Sequence, residues 1–177
     1  MIEGLLARYP IKKSAILAVM HLAQEEYGYM STQAMREVAE IVDVSPTHVL
    51  SLAGFYSLYY EEPVGEYVLE ICTDLACALR GADEFVEMAS ERLGISVEGT
   101  TEDGLFTLKA VMCLAACDKA PMLQCNLKYV EDLNPEKFDA LIDELRTEAA
   151  TRAAEDAPGR APEEAESVVT EVLNYAK

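Results

Sequence analysis

Apolar positions recur every three or four residues through the first third of the chain. Ile16, Val19, Leu22, Ala23 and Tyr27 fall on one helical face, and Gly28 is placed to stop that helix. Ser31 is positioned to cap a second helix whose inward face is Ala34, Val38, Ala39 and Val42. Ser45-Pro46 joins a cap to a proline at the first helical position, opening a third helix through Val49 and Leu52 toward Gly54, Phe55 and Tyr56. Three short helices with short turns predict a small bundle over residues 1–60. Phe55, Tyr56, Tyr59 and Tyr60 at its exit are expected to serve packing.

After Pro63-Val64-Gly65 the period changes. Tyr67 to Cys72 reads as a strand, and a helix is expected from about Ala78 to Leu93, with Phe85, Val86, Ala89 and Leu93 inward and Gly94 closing it. Gly104 precedes a second strand, Leu105 to Met112. Met122 to Cys125 and Tyr129-Val130 read as a hairpin around Asn126-Leu127-Lys128. Asn134-Pro135 starts a last helix, with Phe138, Leu141, Ile142 and Leu145 on one face. This β-α-β-β-(β)-α order over residues 66–148 predicts an α/β fold, a small sheet with helices packed on it. From Thr147 the chain turns Ala/Glu-rich, with Pro158-Gly159 and Pro162 as breakers, so residues 149–177 are expected to form an acidic tail. Val168, Val169, Val172 and Leu173 give that tail an apolar i, i+4 pattern suited to docking on a partner, the other expectation being a disordered linker. No internal repeat is visible.

Composition narrows the function classes. The net charge of −18 argues against sequence-independent binding to nucleic acid or to anionic lipid. Residues 61–148, which hold every cysteine, set twenty Asp and Glu against seven Lys and Arg. Acidic pairs such as Glu61-Glu62 and Glu163-Glu164 read as solvated faces rather than acid–base dyads. No signal peptide is expected from Met1 to Pro10, which carries Glu3 and Arg8 and lacks an apolar block. The longest apolar stretches, such as Ala110 to Cys117, fall far short of the roughly 18 residues that span a bilayer. A reducing compartment is therefore expected, in which cysteines serve as ligands or buried thiols rather than disulfides.

The chemistry concentrates in the cysteines. Cys72 and Cys77 form C-x4-C, Cys113 and Cys117 form C-x3-C, and thirty-five residues separate the pairs. Four thiolates are what a [2Fe–2S] cluster needs, two on each iron. Zinc also takes four, though its sites usually include a tighter C-x2-C step, so a structural zinc or interaction module stays open from spacing alone. Plant-type ferredoxin spacing is absent, and neither pair has the C-x-x-C of thiol–disulfide exchange. Each pair sits where a strand ends in a loop. If the two strands are neighbours, four sulfurs converge at one sheet edge, and the N–H groups of Thr73 to Ala76 and Leu114 to Ala116 are free to point at them. Cys125 lies in an apolar strand and reads as a buried thiol. His21 and His48 lie in the helical region, away from any cysteine, so mixed His/Cys ligation is not expected.

Beyond the cysteines themselves, Ala53-Gly54-Phe55-Tyr56 with Tyr59, Pro63-Val64-Gly65, Cys72-Thr73-Asp74-Leu75-Ala76-Cys77, Asp103 to Leu108, and Cys113-Leu114-Ala115-Ala116-Cys117 with Ala120-Pro121 form a recognisable series. From about Tyr9 to Arg146 the chain resembles the small [2Fe–2S] subunit of the NADH-oxidising module of respiratory complex I, NADH:quinone oxidoreductase. The resemblance implies a helical bundle followed by a thioredoxin-like [2Fe–2S] ferredoxin domain (β-α-β-β-α), with Cys72, Cys77, Cys113 and Cys117 as cluster ligands. One position departs from the family pattern C-L-G-x-C: residue 115 is Ala. An alanine at positive φ would be strained, so the loop is expected in the ordinary allowed region there.

The implied function is electron transfer within an oxidoreductase complex, the chain not being catalytic alone. A [2Fe–2S] centre passes one electron at a time whereas NADH delivers two as hydride, so a flavin must stand between them. The nine glycines form neither G-x-G-x-x-G nor a P-loop, so nucleotide binding is expected on a partner. The resemblance supplies that partner, an FMN- and NADH-binding flavoprotein subunit, with quinone as final acceptor. It also implies a cytoplasmic chain held at the cytoplasmic side of the membrane only through the complex. Family members place this cluster beside the flavin, off the main path to quinone, which suggests electron storage or flavin protection. A homologous subunit of an NAD-linked hydrogenase or formate dehydrogenase is the nearest alternative.

Overall fold

The structure is a computed structural model and describes residues 2–155. It divides into two compact units at the Pro63–Val64 junction.

The first unit is helical. A five-residue helix α1 (Ile2–Leu6), not foreseen from the sequence pattern, precedes a short 3-10 turn (Lys12–Ala15) and the helices α2 (Ile16–Tyr27), α3 (Thr32–Val42) and α4 (Pro46–Phe55). The ends follow the local chemistry. Gly28 closes α2 at φ 77°, the Ser31 hydroxyl accepts from the Ala34 N–H, and the Ser45 hydroxyl accepts from the His48 N–H with Pro46 at the first position of α4. Val19, Met20, Ala23, Val38, Val42 and Val49 form the core. Among the exit aromatics, Tyr59 is buried and donates its hydroxyl to the Leu17 carbonyl at 2.7 Å, whereas Phe55 is 77% exposed. The expectation that the four aromatics all serve packing is therefore not met at Phe55, whose ring stands T-shaped to that of Tyr56 with centroids 5.0 Å apart.

The second unit is a four-stranded sheet in the order β2-β1-β3-β4, built from β1 (Tyr67–Cys72), β2 (Phe106–Val111), β3 (Leu123–Cys125) and β4 (Lys128–Val130). β1 and β2 run parallel, joined by α5 (Leu75–Ala78) and α6 (Ala82–Leu93); β3 and β4 add an antiparallel hairpin. Leu69 and Ile71 of β1 and Phe106 and Leu108 of β2 share one core with Phe85 and Ala89 of α6 and with Phe138, Ile142 and Leu145 of α7 (Pro135–Glu155). At the hairpin tip Asn126 and Leu127 hold φ of 44° and 68°, the left-handed pair that a two-residue turn requires. The Asn126 side chain accepts from the Val68 N–H and donates to the Glu66 carbonyl, fastening the tip to the start of β1.

Two further expectations need correction. The single helix from Ala78 is instead a short α5 that contains Cys77, then a break at Gly81 (φ 86°), then α6. Only a residue tolerant of the left-handed region permits that break, and glycine supplies it. The last helix also does not yield to a linker at Thr147 but continues to Glu155. Its Ala, Glu and Arg residues are strong helix formers. Arg152 donates to the Tyr67 hydroxyl and pairs with Glu66, each at 2.6 Å, tying the extra turns to the start of β1. Residues 156–177, including the Val168 to Leu173 pattern, lie outside the described residues.

Gly65 marks the tightest approach of the chain to itself. A Cβ there would lie 2.8 Å from the Phe106 carbonyl carbon and 3.0 Å from the carbonyl atoms of Leu105, while its N–H donates to the buried Thr107 hydroxyl at 2.6 Å. The neighbours are backbone of β2 and its approach, which cannot swing aside as a side chain would. Gly65→Ala is expected to lower unfolding stability by about 1–3 kcal/mol, the usual cost of forcing extra volume into a packed site; a urea midpoint equal to that of the parent would contradict this contact.

Candidate metal centre

The parallel register fixes where the cysteine loops leave the sheet. Cys72 ends β1 directly opposite Val111, which ends β2, so both loops emerge at the same sheet edge. Thr73 binds the loops together there, its N–H and its hydroxyl both donating to the Val111 carbonyl at 2.8 and 3.0 Å. That engagement corrects the expectation that the Thr73 N–H is free to face sulfur. The N–H groups of Leu75 and Ala76 lie in the first turn of α5, where a helix offers no carbonyl of its own to them.

Around this edge the chain brings the four predicted cysteines into one neighbourhood. Cys72 and Cys77 are buried, walled by Ala82, Ala120 and Met122, with Leu114 and Ala116 packed against them. Cys113 and Cys117 are exposed. The Cys72 thiol donates to the Met112 carbonyl at 3.5 Å. The Cys77 thiol is pushed up to about 12, first by burial, then by its hydrogen bond with Cys72 and by the nearby Cys72, Cys117 and Cys113. Burial disfavours the anion of Cys77, a cost that a bound cationic metal would offset. Among the described residues no three His, Cys, Asp or Glu side chains are drawn together as a cage for one metal ion. The thiol–thiol hydrogen bond at this site, Cys77 with Cys72, lies within the first sequence pair. A donor set of four cysteines in two pairs fits a [2Fe–2S] cluster, which takes two thiolates on each iron. The half-walled, half-open setting also suits a centre that must exchange electrons at a surface.

The remaining candidates fall elsewhere. Cys125 pairs with Leu69 in mid-sheet, and burial raises its thiol to about 11, so it stays protonated at neutral pH. His21 and His48 belong to the helical unit, where His21 pairs with Glu25 at 3.3 Å.

Ala115 is the point at which the loop differs from expectation. Its φ is 59°, in the left-handed region, not the ordinary allowed one. The turn between Cys113 and Cys117 needs that conformation, and the chain meets the need with an alanine at a cost of about 1–2 kcal/mol. Ala115→Gly is therefore expected to raise stability. The gain is about 0.5–1 kcal/mol once the extra freedom of glycine in the unfolded chain is subtracted. A lowered thermal midpoint in that variant would show that the alanine is not strained. The peptide Ala120-Pro121, just beyond, is cis. Arg80 and Tyr129 reach the loop from outside it, donating to the Ala120 and Leu114 carbonyls, and no local sequence motif marks either role.

Comparison with known proteins agrees with this fold. The family described as thioredoxin-like [2Fe-2S] ferredoxin matches residues 2–146. An NADH-quinone oxidoreductase subunit of Rhizobium meliloti is 37% identical over 156 residues, covering 88% of this chain and 93% of that protein. An NADH-quinone oxidoreductase subunit of Rickettsia bellii is 38% identical over 149 residues, covering 82% of this chain and 89% of its own length. A counterpart of that name in Mycobacterium tuberculosis is 34% identical over 156 residues, covering 88% of this chain, and the match spans 62% of that longer protein. Among solved structures, a chain of the NAD+-reducing [NiFe]-hydrogenase in the air-oxidized state superposes with a TM-score of 0.67 at 20% identity, over 81% of this chain and 24% of that one, a likeness of fold. With its helical unit, its parallel-plus-hairpin sheet and its two cysteine loops, the chain belongs to the thioredoxin-like [2Fe-2S] ferredoxin family.

Proposed function

We propose that this chain is the electron-transfer subunit of an NADH dehydrogenase complex, holding one [2Fe–2S] cluster on Cys72, Cys77, Cys113 and Cys117. The observation that carries the reading is the Cys72–Val111 register, which delivers both cysteine pairs to one sheet edge, two thiols walled and two open. When bound, the cluster supplies one-electron redox chemistry. The chain's own residues do the rest. Cys72 and Cys77 anchor the buried side, Cys113 and Cys117 face outward, and Thr73 locks the loops together. The acidic surface of this unit disfavours added negative charge and so holds the reduction potential down.

NADH releases its two electrons as hydride, so single electrons reach this chain from FMN on a partner flavoprotein, with quinone as the final acceptor of the complex. Attachment at the cytoplasmic side through the other subunits belongs to the same proposal; among the described residues no helix is long and apolar enough to cross a membrane. Identities of 34–39% to quinone oxidoreductase subunits favour this reading over a hydrogenase or formate dehydrogenase role. The likeness to the hydrogenase chain stops at fold.

The test is to purify the chain with whatever binds it and add NADH anaerobically. A flavoprotein that co-purifies, and a centre on this chain that NADH reduces only in its presence, support the proposal; a centre that stays oxidised in the flavin-containing complex opposes it. Cys125→Ser should change neither the cluster content nor its spectrum, and loss of the absorbance in that variant would overturn the ligand set.

A further inference from the structure

Two side chains from outside the cysteine loops hold the carbonyls of the second loop. Arg80, in the turn between α5 and α6, donates from Nη1 to the Ala120 carbonyl at 3.0 Å. Tyr129, in β4, donates its hydroxyl to the Leu114 carbonyl at 2.6 Å. The stretch carrying Cys113 and Cys117 is thus gripped near both ends by different elements. The sheet does not depend on the second bond, because Tyr129 pairs with Gln124 through the backbone whatever its hydroxyl does.

The orientation of these carbonyls matters electrically. A carbonyl oxygen turned toward an anionic sulfur opposes addition of an electron, whereas an N–H turned toward it favours reduction. Leu114 directly precedes the strained Ala115, so its carbonyl sits at the place where the loop has most reason to relax. Arg80 further brings a fixed positive charge from the cysteine-bearing α5 side to the loop that carries the other pair, in a unit otherwise rich in carboxylates.

We infer that Arg80 and Tyr129 are positioning residues for the candidate centre, fixing the second cysteine loop by the Ala120 and Leu114 carbonyls and keeping both oxygens away from the sulfurs. This rests on the four-cysteine reading proposed above and adds two residues that act through the loop rather than by ligation.

The experiment is an EPR-monitored redox titration of the full chain loaded with its cluster, with iron release to a chelator followed on the same samples. Tyr129→Phe keeps the ring and the charge and removes only the hydroxyl. It is expected to lower the reduced-to-oxidised ratio at fixed potential about three-fold, as loss of one neutral hydrogen bond allows. Arg80→Met is expected to lower that ratio about ten-fold, which is 59 mV for one electron, and to speed iron release about ten-fold. Arg80→Lys, which keeps charge and a donor, should fall between Arg80→Met and the parent on both measures. Variants with a lowered unfolding midpoint but the parent's potential and g-values would make these contacts merely structural and overturn the inference. A parent that binds no cluster overturns the four-cysteine reading itself; a loaded parent whose variants titrate identically overturns this inference alone.

Discussion

Cys113→Ala is expected to abolish the visible absorbance and the reduced-state EPR signal of the protein and to reduce bound iron from about two per chain to near zero, since each thiolate is one of four that the cluster requires. The exposed position of Cys113 makes this the cleanest of the four substitutions. Removing a solvent-facing thiol leaves no cavity, so the cluster-free chain should unfold within about 0.5 kcal/mol of the parent. Cys77→Ala should lose the cluster as fully, but it also empties a buried position beside Ala82 and Met122 and carries a folding cost of its own. The pair of variants separates ligation from packing. Retention of a normal signal and full iron in Cys113→Ala would remove Cys113 from the ligand set whatever happened to stability.

The largest effect on folding is expected at Phe138. Its ring is fully buried and meets Phe85 edge-on at 5.6 Å, joining α7 to α6 over the face that carries Leu69, Ile71, Phe106 and Leu108. Truncating a phenylalanine in such a place costs about 3–5 kcal/mol, from lost burial and from the cavity left behind. Domains of this kind have about 5–15 kcal/mol in all, so Phe138→Ala should bring the sheet unit near the edge of folding. Phe138→Leu keeps much of the volume and should lose less than about half as much. Urea denaturation of both variants gives the comparison. A loss below about 1 kcal/mol for Phe138→Ala would mean that α7 is not held through this ring.

Much of this architecture was legible because local signals and tertiary roles agree. The strand from Tyr67 to Cys72 is bounded by Gly65 on one side and a polar loop on the other, and the structure keeps those bounds. Ser31 and Ser45 cap the helices they were expected to cap. The hairpin around Asn126 follows from a turn residue that tolerates positive φ. The features that were missed have separate causes, one local and one distant in sequence. The break at Gly81, where φ is 86°, falls inside the stretch expected to be one helix and separates a short α5 from α6. The extension of α7 past Thr147 depends on Arg152 reaching Glu66 and Tyr67, a long-range pairing invisible to periodicity.

The same division applies within the candidate centre. Spacing and the strand-to-loop context singled out Cys72, Cys77, Cys113 and Cys117 as candidates, and the parallel register brings the loops that carry them out at the same ends of neighbouring strands. The conformation of the second loop was not legible. Alanine's preference argues for negative φ at position 115, whereas the structure holds 59° there, in a loop whose Leu114 and Ala120 carbonyls accept from Tyr129 and Arg80. The Thr73 N–H was likewise expected to face sulfur, but it completes the parallel ladder by binding Val111.

The most direct measurement is EPR of anaerobically prepared protein, oxidised and then reduced, with iron, sulfide and zinc determined on the same sample. A silent oxidised state, a half-spin signal on one-electron reduction, and about two irons and two sulfides per chain are the expected result for a four-cysteine [2Fe–2S] centre. Stoichiometric zinc with no signal in either state, persisting after anaerobic reconstitution with iron and sulfide, would contradict it and make the four cysteines a structural metal site.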